Sequence, residues 1–161
     1  MSDEELFDHI DVWVDGSIRG NPHGDGGLGI FIESKRLDYV KAIGVYFPEK
    51  EGNTNNRMEV SAVIASVKAL KNIPLVVNLY LDSMYVVGGL AAGGYKSNED
   101  LWAELFKEIG ARTIYINPIH VKGHSGVDRN TVVDRLANLA RERKENIEFI
   151  GNSEEILNKF S

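Results

Sequence analysis

IDVWVD, residues 10–15, decides the architecture. Ile10, Val12 and Val14 alternate with Asp11, Trp13 and Asp15, and a period of two predicts a strand with one apolar face. Downstream, the glycine-rich stretch 16–27 reads as a flexible hairpin connection. A second strand is expected near 28–33, a turn at Lys35 and Arg36, and a third strand near 39–46. A loop over 48–56 leads to a helix from about Arg57, capped by Asn55 or Asn56. Val60, Val63, Ile64, Val67 and Leu70 have helical spacing there. Leu75–Leu81 is almost continuously apolar, which suits a strand buried on both faces.

A short helix after Ser83 is expected to break at Gly88 and Gly89. Ser97 and Asp100 form a capping-box-like start for a further helix through Ile109. Residues 113–121 read as a strand, and Pro118 assigns it to an edge or a bulge. A loop over 122–130, a helix over 131–143 and a short tail helix around 154–160 complete the chain. The order β-β-β-α-β-α-α-β-α implies an α/β fold: a mixed sheet with helices packed on it. A right-handed crossover places the fourth strand parallel to the first.

Composition sets bounds. At 161 residues a single domain spanning 1–161 is expected. There is no cysteine, so disulfides, thiolate zinc sites and cysteine nucleophiles are excluded; four scattered histidines do not make a zinc site. No apolar run reaches membrane-spanning length, and the acidic start MSDEELFDHID lacks the order of a signal peptide. A cytoplasmic monomer without membrane contact is the expectation. The net charge of −6 is unevenly spread: residues 1–11 carry five acids and no Lys or Arg, and 146–161 carry three acids against one Lys. Residues 12–145 are therefore at +1, so the global acidity does not argue against a phosphate-bearing substrate.

Four carboxylates stand out. Asp15 and Asp82 fall at the carboxyl ends of two expected strands, the edge where α/β sheets bind ligands. Asp15 before a glycine also fits a turn, and Asp82 also fits a helix cap. Glu59 is expected in the first turn of its helix, where the dipole favours the ionised form; an ordinary acidic helix start reads the same way. Asp134 sits in an apolar stretch, either for chemistry or for a salt bridge to Arg135 or Arg129. If the four converge, their repulsion calls for divalent cations, and hard oxygen donors suit Mg²⁺ or Mn²⁺. His124, between two glycines in KGHSG, fits a proton shuttle on a loop. Asn53, Thr54, Asn55 and Asn56 fit either helix capping or contacts to phosphate and groove edges. Tyr85 and Trp102 read as core rather than as base-stacking platforms.

VDGSIRGNP (14–22), NTNNRMEV (53–60), LDSMYVV (81–87), EDLW (99–102), VKGHSG (121–126) and NTVVDRLAN (130–138) occur in that order. As a set they resemble the type 1 ribonuclease H family over residues 10–143, leaving 144–161 as a C-terminal extension. The resemblance implies a five-stranded mixed sheet with helices on both faces. It also implies hydrolysis of the RNA strand of RNA–DNA hybrids with two Mg²⁺ ions, Mn²⁺ being the alternative, to give 5′-phosphate and 3′-hydroxyl ends. Under it Asp15, Glu59, Asp82 and Asp134 match metal-binding carboxylates and His124 a catalytic histidine. Asn21, Asn55 and Asn56 match minor-groove contacts and Thr54 a phosphate contact, with Arg57 and Asn130 assisting. Met84 stands where many members carry Gln, and 91–98 is too short for the basic helix and loop that several members use, which implies weaker hybrid binding. Two competing readings are a hybrid-binding module without catalysis and a related metal-dependent nuclease acting on DNA or structured RNA.

Overall fold

The computed structural model describes residues 7–20, 24–50, 52–122 and 128–160. Strands β1 (Asp8–Ile18), β2 (Gly26–Ser34) and β3 (Tyr39–Phe47) form an antiparallel meander. Helix α1 (Asn55–Ala69) then crosses over to β4 (Leu75–Leu81), which pairs parallel to β1. Helices α2 (Met84–Ala92) and α3 (Glu99–Gly110) lead to β5 (Ile114–His120), parallel to β4. Helix α4 (Arg129–Arg143), strand β6 (Ile147–Gly151) and helix α5 (Ser153–Lys159) close the chain.

The sheet therefore has six strands in the order β5-β4-β1-β2-β3-β6, not five. The sixth comes from the tail, where Ile147 and Phe149 face the protein while Glu148 and Ile150 face solvent, and it pairs antiparallel with β3. Five residues carry too little period for recognition without the partner strand beside them. The edge position expected from Pro118 is observed in β5, and the parallel pairing of the first and fourth strands is observed in β1 and β4.

The alternation of β1 separates two cores. Val12 and Val14 are fully buried on one face with Leu28, Ile30, Val63, Leu79, Leu81, Trp102 and Leu105. The other face packs Phe31, Val40 and Ala42 against Val132, Val133 and Leu136 of α4 and Ile156 and Phe160 at the C-terminus. Each such fully buried Val, Leu or Phe contributes roughly 1.5–3 kcal/mol. Helices thus cover both faces. Among the described residues no helix is long and apolar enough to cross a membrane.

Four local expectations are corrected. Gly26 and Gly27 are not a flexible connection; with Gly29 they lie within β2, opposite Ile18, Ser17 and Asp15. A methyl group on Gly27 or Gly29 would collide with the backbone carbonyl of Ala137 or Val133, so α4 rests directly on the backbone of β2. Helix α1 is capped by Thr54, whose Oγ1 accepts from the Arg57 amide at 3.2 Å, so the helix opens at Asn55 rather than near Arg57. Helix α2 does not break at Gly88 and Gly89. It continues to Ala92 and ends at Gly93 in the left-handed region (φ 79°), while Gly88 and Gly89 leave room for the rings of Tyr95 and Trp102. The capping box at Ser97 and Asp100 is absent: Asn98 caps α3 without a side-chain bond to the helix end, the Ser97 hydroxyl meets the Tyr85 hydroxyl, and Asp100 pairs with Arg57. For the glycines of β2, for α2 and for α3 a tertiary contact outcompetes the local preference; for α1 a different local cap does.

Candidate active site

Parallel pairing of β1 with β4 ends at Trp13 and Tyr80. Asp15 lies two residues past Trp13, and Asp82 two past Tyr80, so both carboxylates emerge where the parallel ladder stops. Strand β1 itself runs on to Ile18 in its antiparallel pairing, so Asp15 is inside a strand and not in a turn. Ser83, rather than Asp82, caps α2, its Oγ accepting from the Val86 amide at 3.2 Å. That leaves the Asp82 carboxylate uncommitted to the helix end. His120, at the end of β5, donates Nε2 to the Asp82 carbonyl at 3.2 Å and steadies the strand ends.

Glu59 reaches the same place from α1. Because the helix starts at Asn55, Glu59 falls in its second turn, past the first-turn dipole expected for it. What brings it in is Gly16: a Cβ there would lie 2.6 Å from the Met58 carbonyl carbon and oxygen and 3.0 Å from the Glu59 amide. Only a residue without a side chain lets α1 approach β1 this closely. One carboxylate oxygen from each of Asp15, Glu59 and Asp82 then lies within 4.8 Å of the others.

Asp134 is outside that trio of closest oxygens, but its charge bears on Asp15 from α4. Asn138 Nδ2 donates to Asp134 Oδ2 at 3.5 Å, and Asn138 lies one turn further along the helix. The two arginines that might have been its partners are engaged elsewhere: Arg129 with Glu33, and Arg135 with the Phe160 carbonyl.

Three charges so close cannot all ionise cheaply. Burial first, then the repulsion of Asp82 and Asp134, pushes the Asp15 carboxyl up from its ordinary 3.8 to about 7. Burial, with Asp15 and Asp82 beside it, pushes Glu59 up as well. Glu59 Oε2 is buried without a hydrogen-bond partner among the described residues. A carboxylate with an orphaned oxygen, grouped with two other carboxylates, offers the donors a hard divalent cation takes, so these residues fit one. A stability prediction follows. An unfolded chain ionises Asp15 near 3.8, whereas the folded chain holds that proton to about 7. Metal-free protein therefore loses stability as pH rises through this window, and the share owed to Asp15 is fully lost above it. Thermal melts in EDTA at pH 5 and pH 8 are expected to show that decline beyond what Mg²⁺-loaded protein shows, and equal pH profiles would contradict it.

The remaining expected site residues divide. Asn55 and Asn56 are exposed at the start of α1, and Thr54 is half-buried with its hydroxyl in the cap. The Arg57 guanidinium is held by both Asp100 oxygens, at 3.0 and 2.7 Å, and by Asn98. Asn130 is 4% exposed at the start of α4, and neither of its amide atoms has a hydrogen-bond partner among the described residues. Asn53, counted above among the capping or groove-contacting residues, is instead structural: its Nδ2 donates to the carbonyls of Gly24 and Pro48. Asn21 and His124 lie outside the described residues. Gly16 was missed as a site residue. Its signal was present in the pair Asp15-Gly16, but a turn explains that pair equally well.

Fold and site together define an α/β protein with a cation-type acidic cleft at the end of its parallel strands. Residues 8–142 match the RNase H family model. The chain is 38% identical over 146 residues to a ribonuclease H of Thermoanaerobacter sp., an alignment covering 81% of this chain and 88% of that one. It is 35% identical to ribonuclease HI of Pasteurella multocida, covering 83% and 90%. Among solved structures, LC9-RNase H1, a type 1 RNase H, superposes with a TM-score of 0.73 at 25% identity, over 91% of this chain and 78% of that one. The chain belongs to the RNase H family and by that membership is an enzyme.

Proposed function

We propose that this chain hydrolyses the RNA strand of RNA–DNA hybrids at the cleft formed by Asp15, Glu59, Asp82 and Asp134. The observation that carries this reading is the convergence of three carboxylate oxygens within 4.8 Å at the end of the parallel strands, in a chain of this family. A solved relative of the same fold, LC11-RNase H1, at 23% identity and a TM-score of 0.64, is in complex with an RNA/DNA hybrid.

The four carboxylates would hold Mg²⁺, two ions in our reading. Such ions, when bound, supply Lewis-acid activation of water and neutralisation of the leaving 3′ oxygen. The protein's own part is to hold the carboxylates ready. The Gly16 amide donates to Asp15 Oδ1 at 2.9 Å, and Glu59 packs against that same backbone. His124, which precedes α4 in the sequence, is assigned proton transfer to the leaving group. Asn21, Thr54, Asn55, Asn56 and Asn130 are assigned contacts to the hybrid. Arg57 is assigned a supporting role, since its fork is already filled by Asp100.

The experiment is cleavage of a labelled hybrid with Mg²⁺ and with EDTA, beside double-stranded DNA and double-stranded RNA. The expected result is Mg²⁺-dependent cleavage of the RNA strand in the hybrid alone, with 5′-phosphate and 3′-hydroxyl ends. Cleavage in EDTA, or equal cleavage of either homoduplex, would overturn the reading.

A further inference from the structure

We infer that the C-terminal extension, residues 147–160, acts through Arg129 and Arg135 to set the position of α4, and with it the distance of Asp134 from Asp15. This rests on the reading of the carboxylate cleft as the reaction centre.

The extension lies beyond the family-matched residues 8–142; its strand pairs with β3, and its last helix and Phe160 also hold α4. Ile156 and Phe160 pack into the core with Val132, Val133 and Leu136 of α4. The Phe160 carbonyl accepts from Arg135, the residue next to Asp134. At the other end, Ser153 Oγ accepts from Arg129 Nη2 at 2.9 Å, and Arg129 is the first residue of α4. Five residues of β6 pair with β3, which anchors the grip to the sheet.

Arg129 is the joint. Its Nε and Nη2 donate to both oxygens of Glu33, at 2.8 and 3.1 Å, and Glu33 is only 4% exposed. Its guanidinium lies 5.3 Å from the centre of the Trp13 ring and 5.7 Å from that of Phe31. Trp13 in turn stacks on Tyr80, with centroids 4.4 Å apart and planes within 9°. Trp13 and Tyr80 stand two residues before Asp15 and Asp82 on their strands, so this aromatic pair is the floor beneath the cleft. One guanidinium thus connects the extension, a buried acid of β2, the floor of the cleft and the helix that carries Asp134.

The linkage is stiff. Asp134 follows Arg129 by five residues, roughly 7.5 Å along the axis. Helix α4 sits on the bare backbone at Gly27 and Gly29, with no side chain between to absorb a shift. A change at either grip therefore moves Asp134 rather than being taken up locally. Arg129 and Arg135 are positioning residues in this account, and Ser153 and Phe160 are what they hold.

The test uses Ser153→Ala combined with Arg135→Ala, which loosens the extension without touching a cleft carboxylate, and separately Arg129→Lys, which keeps the charge but removes the fork. Two quantities are measured at a temperature where each variant is folded. One is the rise in melting temperature produced by Mg²⁺; the other is the Mg²⁺ concentration for half-maximal hybrid cleavage. The rise is expected to shrink, and the half-maximal concentration to increase roughly tenfold, the lower end for partners outside a ligand set. KM for the hybrid should stay within about twofold, since uniform binding is untouched. Adding Ser153→Thr in place of Ser153→Ala, with Arg135 retained, should restore parental values, because the acceptor hydroxyl returns. Variants that melt earlier in EDTA yet keep the parental Mg²⁺ increment and half-maximal concentration would overturn the inference and leave the extension a stabiliser only. A parent that neither cleaves hybrid nor gains melting temperature from Mg²⁺ would overturn the proposed function itself, and this inference with it.

Discussion

Asp15→Asn is expected to reduce hybrid cleavage by roughly 10²–10³-fold, the scale for removing one preorganised electrostatic partner of a transition state. The same substitution should make the metal-free protein more stable at pH 8. Both effects come from one arrangement. Asp15 is 5% exposed, and its carboxyl is pushed up by burial and by Asp82 and Asp134. Above pH 7 the folded metal-free chain carries that charge at a cost, and the neutral amide removes it. A gain of about 1 kcal/mol would appear as roughly 2–4 °C in melting temperature for a chain of this length. Cleavage at the parental rate would remove Asp15 from the site. Lost cleavage together with a lower melting temperature at pH 8 would mean that Asp15 is structural. The opposite signs of the two readouts distinguish a strained functional carboxylate from an ordinary buried hydrogen-bonding one.

Gly29→Ala is expected to destabilise the protein by about 2–3 kcal/mol or more, as forced overpacking against backbone does. Glycine 29 stands opposite Asp15 in the β1–β2 ladder, and its missing side chain is where the Val133 carbonyl of α4 rests. A methyl group must push α4 off the sheet at the residue before Asp134. Chemical denaturation measures the stability loss. Cleavage per folded molecule should fall as well, because the carboxylate moves with its helix. Gly27→Ala meets the Ala137 carbonyl one turn later, so the double variant should lose less than the sum of the singles. A Gly29→Ala protein as stable and active as the parent would show that α4 is not seated on β2 as described. A control is Gly52→Ala, at a positive φ but with no atom near its added Cβ; it should show only a local backbone penalty.

How far the chain could be read in advance depends on the range of the interaction. The strand at residues 10–15, the apolar run Leu75–Leu81 and the helix over Val60, Val63, Ile64 and Val67 were readable because each pattern repeats within a few residues. The edge position of β5 followed from Pro118, a strictly local constraint. Where a residue had two local readings, another residue chose between them, adjacent in sequence for Asp82 and distant for the others. Asp82 might have capped α2 until Ser83 did so. Asp134 might have paired with Arg129 until Glu33, 96 residues from that arginine, took it. Ser97 and Asp100 had the spacing of a capping box, but Tyr85 and Arg57 bind those side chains more favourably.

The family resemblance singled out the four carboxylates, but not what lets them meet. Two devices do that, and both are absences. Gly16 gives α1 its approach to β1, and Gly27 with Gly29 gives α4 its seat on β2. A glycine in sequence looks like a turn, and only the neighbouring backbone shows that its missing Cβ is occupied space.

The amino-acid sequence alone settled the alternation of strands and helices before the tail and the parallel crossover between the first and fourth strands. These follow from periodicity and backbone sterics, which act over a few residues. The tertiary structure alone decided that three carboxylate oxygens share one small volume, that the tail contributes a sixth strand, and that the tail holds α4 at its first residue and near its middle. These are contacts between segments tens of residues apart. Their energies depend on shape and burial that no local pattern encodes.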